Sequence, residues 1–145
     1  MRAIGVDLSR VYATGHSSGA QFIVQMLLSS RTADAAHFNF AAVAPVAASD
    51  YGAMYGPIPV MYIQGFKDAE RGGGYGHETV ERFRAANSCG SSSEDYDEVM
   101  GCQSSGTSVD PGCVVYDGCM APTIWCSHND PQYGTSNHGV PCFAV

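Results

Sequence analysis

Val11-Tyr12-Ala13-Thr14-Gly15-His16-Ser17-Ser18-Gly19-Ala20 is a short β-prone run that breaks at Gly15-His16-Ser17-Ser18-Gly19, a G-x-S-x-G pattern. The stretch that follows, Ala20-Gln21-Phe22-Ile23-Val24-Gln25-Met26-Leu27-Leu28, is apolar on nearly every side, as a buried helix should be. Strand, tight turn and helix thus occur in the order of a nucleophile elbow. An elbow holds a serine on a strained strand-to-helix turn, and its flanking residues must be small so that strand and helix approach closely. Gly15 and Gly19 answer that demand. The turn exposes the serine Oγ and aims the following amide N–H, here that of Ser18, at the oxyanion formed when an ester carbonyl is attacked. Ser17 is the candidate nucleophile and the Ser18 amide the candidate oxyanion donor. The five-residue pattern alone also arises in unrelated glycine-rich loops, and the flanking strand and helix are what give it weight.

Working outward, a strand over 11–14, a helix over 18–30 and the run Phe40-Ala41-Ala42-Val43-Ala44-Pro45-Val46 form a βαβ unit. Ile58-Pro59-Val60-Met61-Tyr62-Ile63-Gln64-Gly65 reads as another buried strand, with Pro57 and Pro59 near its beginning, where a missing N–H is tolerated. A helix is expected over 76–87, where Val80, Phe83 and Ala86 or Asn87 fall at helical spacing. The fold class is therefore α/β, a mostly parallel sheet flanked by helices. From Ser88 to Gly112 the composition shifts to Ser, Gly, Asp and Cys, and we read a cysteine-rich, cross-linked insertion over about 88–121 whose conformation the residues do not reveal. Cys113-Val114-Val115-Tyr116 and Thr123-Ile124-Trp125-Cys126 are short β-like runs able to pair or to extend the sheet, and an irregular tail is expected from Ser127 onward.

The 145 residues suit a single domain, 1–145, and a domain of this size buries about 70% of its unfolded surface, enough for a real core. Charged residues make up 14% of the chain and the net charge is −7, which argues against a phosphate-neutralising surface and so against nucleic acid as a partner. No run approaches the roughly 20 apolar residues of a membrane span, and Met1-Arg2-Ala3-Ile4-Gly5-Val6-Asp7 lacks the apolar centre of an export signal. The 6 cysteines, Cys89, Cys102, Cys113, Cys119, Cys126 and Cys142, contain no C-x-x-C pair, and the histidines are scattered; disulfides, not zinc, are expected. Paired cysteines imply an oxidising, extracellular setting. Neither a metal nor a cofactor is called for.

A serine hydroxyl needs a base to take its proton and a carboxylate to orient that base. In the α/β-hydrolase order the acid follows a later strand and the histidine comes last. Asp68 lies just past the Ile58-to-Gly65 run and is favoured by position over Asp50, Glu70 and Glu78. His16 lies in the elbow and is expected to point away from its serine, His37 precedes a strand, and His77 opens a helix. That leaves His128 and His138 after the last β-like run. His138 ranks first, because it precedes a glycine and Cys142 follows close enough to anchor its loop by a disulfide.

Tyr12 through Gln25, Pro59 to Asp68, Tyr116-Asp117-Gly118-Cys119, and the tail from Trp125-Cys126 to His138-Gly139 resemble secreted feruloyl esterases and the related polyhydroxyalkanoate depolymerases. The resemblance spans most of the chain. It implies an α/β-hydrolase domain with Ser17, Asp68 and His138 as its triad, an ester substrate such as a hydroxycinnamate ester of plant cell-wall polysaccharide or a polyester, and secretion. It also implies that this is the C-terminal part of such a domain, since the family has several strands before the elbow and only the residues up to Arg10 precede that strand here. Tyr51, Tyr55, Tyr62, Phe66 and Tyr75 are candidates for an aromatic pocket. The competing expectation is a non-catalytic product, either an inactive truncated fragment or a disulfide-stapled domain that binds carbohydrate without cleaving it.

Overall fold

Among the described residues the apolar runs become strands of one six-stranded mixed sheet, mostly parallel, with two α-helices. In the computed structural model the described residues are 5, 7–29, 40–48, 56–65, 68, 75–96, 112–128 and 138. Strand β1 is Tyr12–His16, β2 Ala42–Val46, β3 Val60–Gly65, β4 Ser93–Asp95, β5 Gly112–Tyr116 and β6 Thr123–His128; helix α1 is Ser18–Ser29 and α2 Tyr75–Ala86. Their order across the sheet is β1-β2-β3-β6-β5-β4. The pairs β1–β2, β2–β3 and β3–β6 are parallel, while β5 and β4 extend the sheet antiparallel beyond β6. Strand β1 runs through His16, so this residue ends a strand instead of lying in the turn.

Strand side chains alternate between faces, and this alternation divides the core in two. Both helices cover one face. From α1, Ala20, Ile23, Val24 and Leu27 recur at i, i+3, i+4 and i+7, and with Val80 and Phe83 of α2 they bury Val43, Val60 and Tyr62 of the strands. The β3–β6 register sets Tyr62 opposite Trp125, and their rings stack at 5.5 Å between centroids and 9° between planes. The other face buries Val46, Ile63, Cys113 and Cys126. Tyr62, one of the residues expected to line an aromatic pocket, is 0% exposed and belongs to the core. Of the other pocket candidates, Tyr51, Tyr55 and Phe66 lie outside the described residues, and Tyr75 opens α2.

Asn87 caps α2 and joins it to the sheet. Its Oδ1 accepts the Ile58 N–H at 2.8 Å, and its Nδ2 donates to the Ile58 carbonyl at 2.8 Å and to Thr123 Oγ1 at 2.7 Å. This buried side chain aligns the starts of β3 and β6. Two disulfides brace the neighbouring region: Cys89–Cys119 spans the inserted segment, and Cys113–Cys126 joins directly opposed residues of β5 and β6. Cys102 and Cys142 lie outside the described residues. The cysteine-rich insertion is thus in part regular, since β4 and β5 belong to it. Among the described residues no helix is long and apolar enough to cross a membrane.

Candidate functional site

In a parallel sheet every strand points its carboxyl end to the same edge, and the loops that leave that edge are brought together. Here β1 leads into Ser17, β2 into Ala47 and Ala48, β3 leads to Asp68, and β6 leads to His138. Residues far apart in the chain therefore share one rim.

Ser17 occupies the left-handed region at φ 54°, a conformation that costs a non-glycine residue about 1–3 kcal/mol. Its surroundings hold it there. The Ser17 N–H donates to the Val46 carbonyl at 2.9 Å, tying the turn to the end of β2, and the Ser17 carbonyl accepts the Gln21 N–H at 2.9 Å as α1 begins. A Cβ placed on Gly15 would stand 2.7 Å from the Gly19 carbonyl carbon, so the strand and the first helical turn touch backbone to backbone. Gly19 is different. No described atom lies within 4 Å of a Cβ built there, so the close approach that we expected of both glycines is made by Gly15 against the backbone of Gly19. Ser18 is the first residue of α1, and its amide is among those that a helix leaves without an intrahelical acceptor.

Asp68 is 0% exposed. A buried carboxylate needs donors, and two reach it. His138 Nδ1 lies 2.9 Å from both Oδ1 and Oδ2, and Gln64 Nε2 donates to Oδ2 at 2.6 Å. Because an ionised carboxylate only accepts, the Nδ1 of His138 carries the proton and its Nε2 is the free base. That Nε2 lies 3.0 Å from Ser17 Oγ, whose hydroxyl donates to it. The imidazole is 16% exposed, open enough to exchange a proton with a molecule on the rim. The structure thus brings together Ser17, Asp68 and His138, each the first choice of the sequence reading.

The rival residues stand elsewhere. His128 ends β6 and is 1% exposed, within the protein interior. His77 and Glu78 are exposed on α2, with His77 Nε2 3.9 Å from Glu81 Oε1. His37, Asp50 and Glu70 lie outside the described residues. An apolar groove of about 290 Å³ runs over the face opposite α1 and α2 at Tyr12, Ala42, Ala44, Met61 and Ile124, and none of Ser17, Asp68 and His138 lines it.

Two participants escaped the sequence reading. His16 does not simply point into solvent: its Nε2–H donates to the His138 main-chain carbonyl at 2.5 Å, and the two rings lie 5.1 Å apart. Gln64 is 1% exposed and touches Asp68 directly. A polar residue at the end of an otherwise apolar strand was the available signal for Gln64. For His16 no local pattern exists, because its partner is more than a hundred residues away. Comparison of the chain with models of protein families and with curated protein sequences gave no match.

Proposed function

We propose that the protein is a serine carboxylic-ester hydrolase in which Ser17 is the nucleophile, His138 the general base and then acid, and Asp68 the group that orients His138. The observation that carries this reading is the continuous contact from Ser17 Oγ to His138 Nε2 at 3.0 Å and from His138 Nδ1 to Asp68 at 2.9 Å. As Oγ bonds to the ester carbonyl carbon, its proton passes to Nε2, and the imidazolium that forms is stabilised by the buried carboxylate. The carbonyl oxygen gathers negative charge, and the Ser18 amide at the start of α1 is the donor for it. His138 then returns the proton to the departing alkoxide, leaving an acyl-serine. Water, activated by the same imidazole, releases the acid and restores Ser17.

The sequence resemblance supports a finer reading: an α/β-hydrolase of the feruloyl esterase type, acting outside the cell on hydroxycinnamate esters of plant cell-wall polysaccharide. The two disulfides agree with an oxidising setting. The same resemblance makes polyester depolymerisation the second reading, and substrate choice separates them. Turnover of methyl ferulate without turnover of hydroxybutyrate oligomers selects the first.

The class of reaction is tested by Ser17→Ala. Removing a triad serine costs on the order of a million-fold in kcat, so hydrolysis of p-nitrophenyl acetate falls to background and a fluorophosphonate probe no longer labels the protein. Unchanged hydrolysis by Ser17→Ala, or fluorophosphonate attached to another residue, refutes the assignment.

A further inference from the structure

Asp68 is held from two sides, and only one of those contacts belongs to the triad. We infer that Gln64 is a positioning residue that sets the orientation of the Asp68 carboxylate, and that Tyr62 and Gly76 in turn set Gln64; the inference rests on the esterase reading of Ser17, Asp68 and His138.

His138 Nδ1 is equidistant from the two carboxylate oxygens, at 2.9 Å from each, so this contact alone leaves the carboxylate free to swing toward either oxygen. The Gln64 bond at 2.6 Å selects Oδ2 and removes that freedom. The glutamine amide is itself unambiguous. Its NH2 must face the carboxylate, which accepts only, so Oε1 turns to the Tyr62 hydroxyl, which donates to it at 2.8 Å. Tyr62 is fully buried, its ring stacked on Trp125 at 5.5 Å and tilted against Phe83 at 6.4 Å, so its hydroxyl has a fixed address. That hydroxyl also meets the Ala48 carbonyl, so its single proton is shared between two acceptors, Gln64 Oε1 and the Ala48 oxygen. From above, α2 closes over the glutamine: a Cβ on Gly76 would stand 2.7 Å from Gln64 Cγ. Core packing is thereby transmitted from Tyr62 through Gln64 to Asp68, and from there to His138 and Ser17.

Without Gln64 the two remaining ends differ. Tyr62 keeps the Ala48 carbonyl as an acceptor, whereas among the described residues Asp68 keeps only His138. The consequence falls on the carboxylate that must stabilise the imidazolium in the transition state. At metal centres, loss of a residue that orients a ligand typically costs about 10- to 100-fold, and the same scale is taken for a residue that orients a triad carboxylate.

The experiment uses Gln64→Met, which keeps length and volume but has no N–H, together with Tyr62→Phe, the double variant and Gly76→Ala. With p-nitrophenyl acetate, Gln64→Met is expected to lower kcat about 10- to 100-fold with KM within about twofold, the signature of an interaction that acts in the transition state. Tyr62→Phe is expected to lower kcat less and to add almost nothing on top of Gln64→Met, since both act through one chain. Gly76→Ala, whose methyl presses on the glutamine stem, lowers kcat in the same way and carries the test if Gln64→Met does not fold. The downfield proton resonance of His138 Nδ1–H, assigned by its loss in His138→Ala, reports on the Asp68 contact without any turnover. It is expected to shift or broaden in Gln64→Met and to persist in Ser17→Ala. Wild-type kcat and an unmoved resonance in Gln64→Met overturn the inference, as do multiplicative effects of Tyr62→Phe and Gln64→Met. If Ser17→Ala leaves hydrolysis unchanged, the esterase reading fails instead, while the resonance still decides whether Gln64 holds Asp68.

Discussion

Gly15→Ala places a methyl group where β1 meets α1. That methyl would lie 2.7 Å from the Gly19 carbonyl carbon, 2.9 Å from its oxygen and 3.0 Å from the Ala20 nitrogen, against an ordinary carbon contact of about 3.5–4.0 Å. All three neighbours are main-chain atoms, so no side chain can rotate away. The first turn of α1 must retreat from β1 by about 0.8 Å or more, the gap between the closest approach of 2.7 Å and an ordinary contact. Ser17 and Ser18 lie between the two glycines and are carried along, stretching a Ser17–His138 contact that stands at 3.0 Å. Overpacking of this kind costs about 1–3 kcal/mol, and a misplacement approaching 1 Å costs on the order of 100-fold in rate. We expect Gly15→Ala to lower Tm by roughly 4 °C per kcal/mol lost and kcat by about 30- to 100-fold. Gly19→Ala is the internal control. Its Cβ meets no described atom within 4 Å, and alanine in a helix is favoured over glycine by about 0.5–1 kcal/mol, so its Tm should be equal to or above that of the wild type. Differential scanning fluorimetry and ester hydrolysis, with sites counted by fluorophosphonate titration, read both variants. A Gly15→Ala protein with wild-type Tm and kcat would refute the close-approach argument, as would a Gly19→Ala protein as damaged as Gly15→Ala.

The two late histidines should separate cleanly. His138→Ala removes the base and reduces kcat by about a million-fold, whereas His128→Ala empties an interior position, lowers stability by about 1–3 kcal/mol and leaves kcat per titrated site near wild type; a large kcat loss in His128→Ala alone would move the base. His16→Ala deletes the donor to the His138 carbonyl, and because His16 is exposed we expect about a tenfold fall in kcat with a ΔΔG within about 0.5 kcal/mol by urea unfolding. An unchanged kcat would show that the contact does not steady the base. Replacing both Cys89 and Cys119 by alanine opens a bridge between residues 30 apart in sequence and should cost about 3–4 kcal/mol, read from the urea midpoint. A loss below about 1 kcal/mol would mean that the inserted segment is held by its strands and not by the bridge.

Much of the architecture was readable because it rests on local periodicity. The run at 11–14, the helical pattern over 18–30 and the run from Ile58 to Gly65 each carry their own pattern, and all three elements formed within a residue or two of the expected bounds. In the cysteine-rich stretch the apolar run at 113–116 was legible as a strand and became β5, but the segment before it was not. Its strand β4 exists by pairing with β5, which itself pairs with β6 beyond it in the chain, and no local pattern of Ser93-Glu94-Asp95 announces a strand. Whether Tyr62 lines a pocket or packs in the core was not legible, because an aromatic side chain looks the same to the sequence whether it faces a cleft or, as here, the Trp125 ring across a strand pair.

From the sequence by itself came the kinds of chemistry present and their order: an elbow serine first, a carboxylate after a later strand, a histidine last. Short-range rules of turn and strand are enough to locate such groups along a chain. The tertiary structure decided which of the candidate carboxylates and histidines meet the serine, and it set Gln64 against Asp68 and His16 against the His138 carbonyl. Hydrogen bonds form or fail over a few tenths of an ångström. Distances on that scale are set by how strands register and helices pack across the whole sheet, and no local stretch of residues contains them.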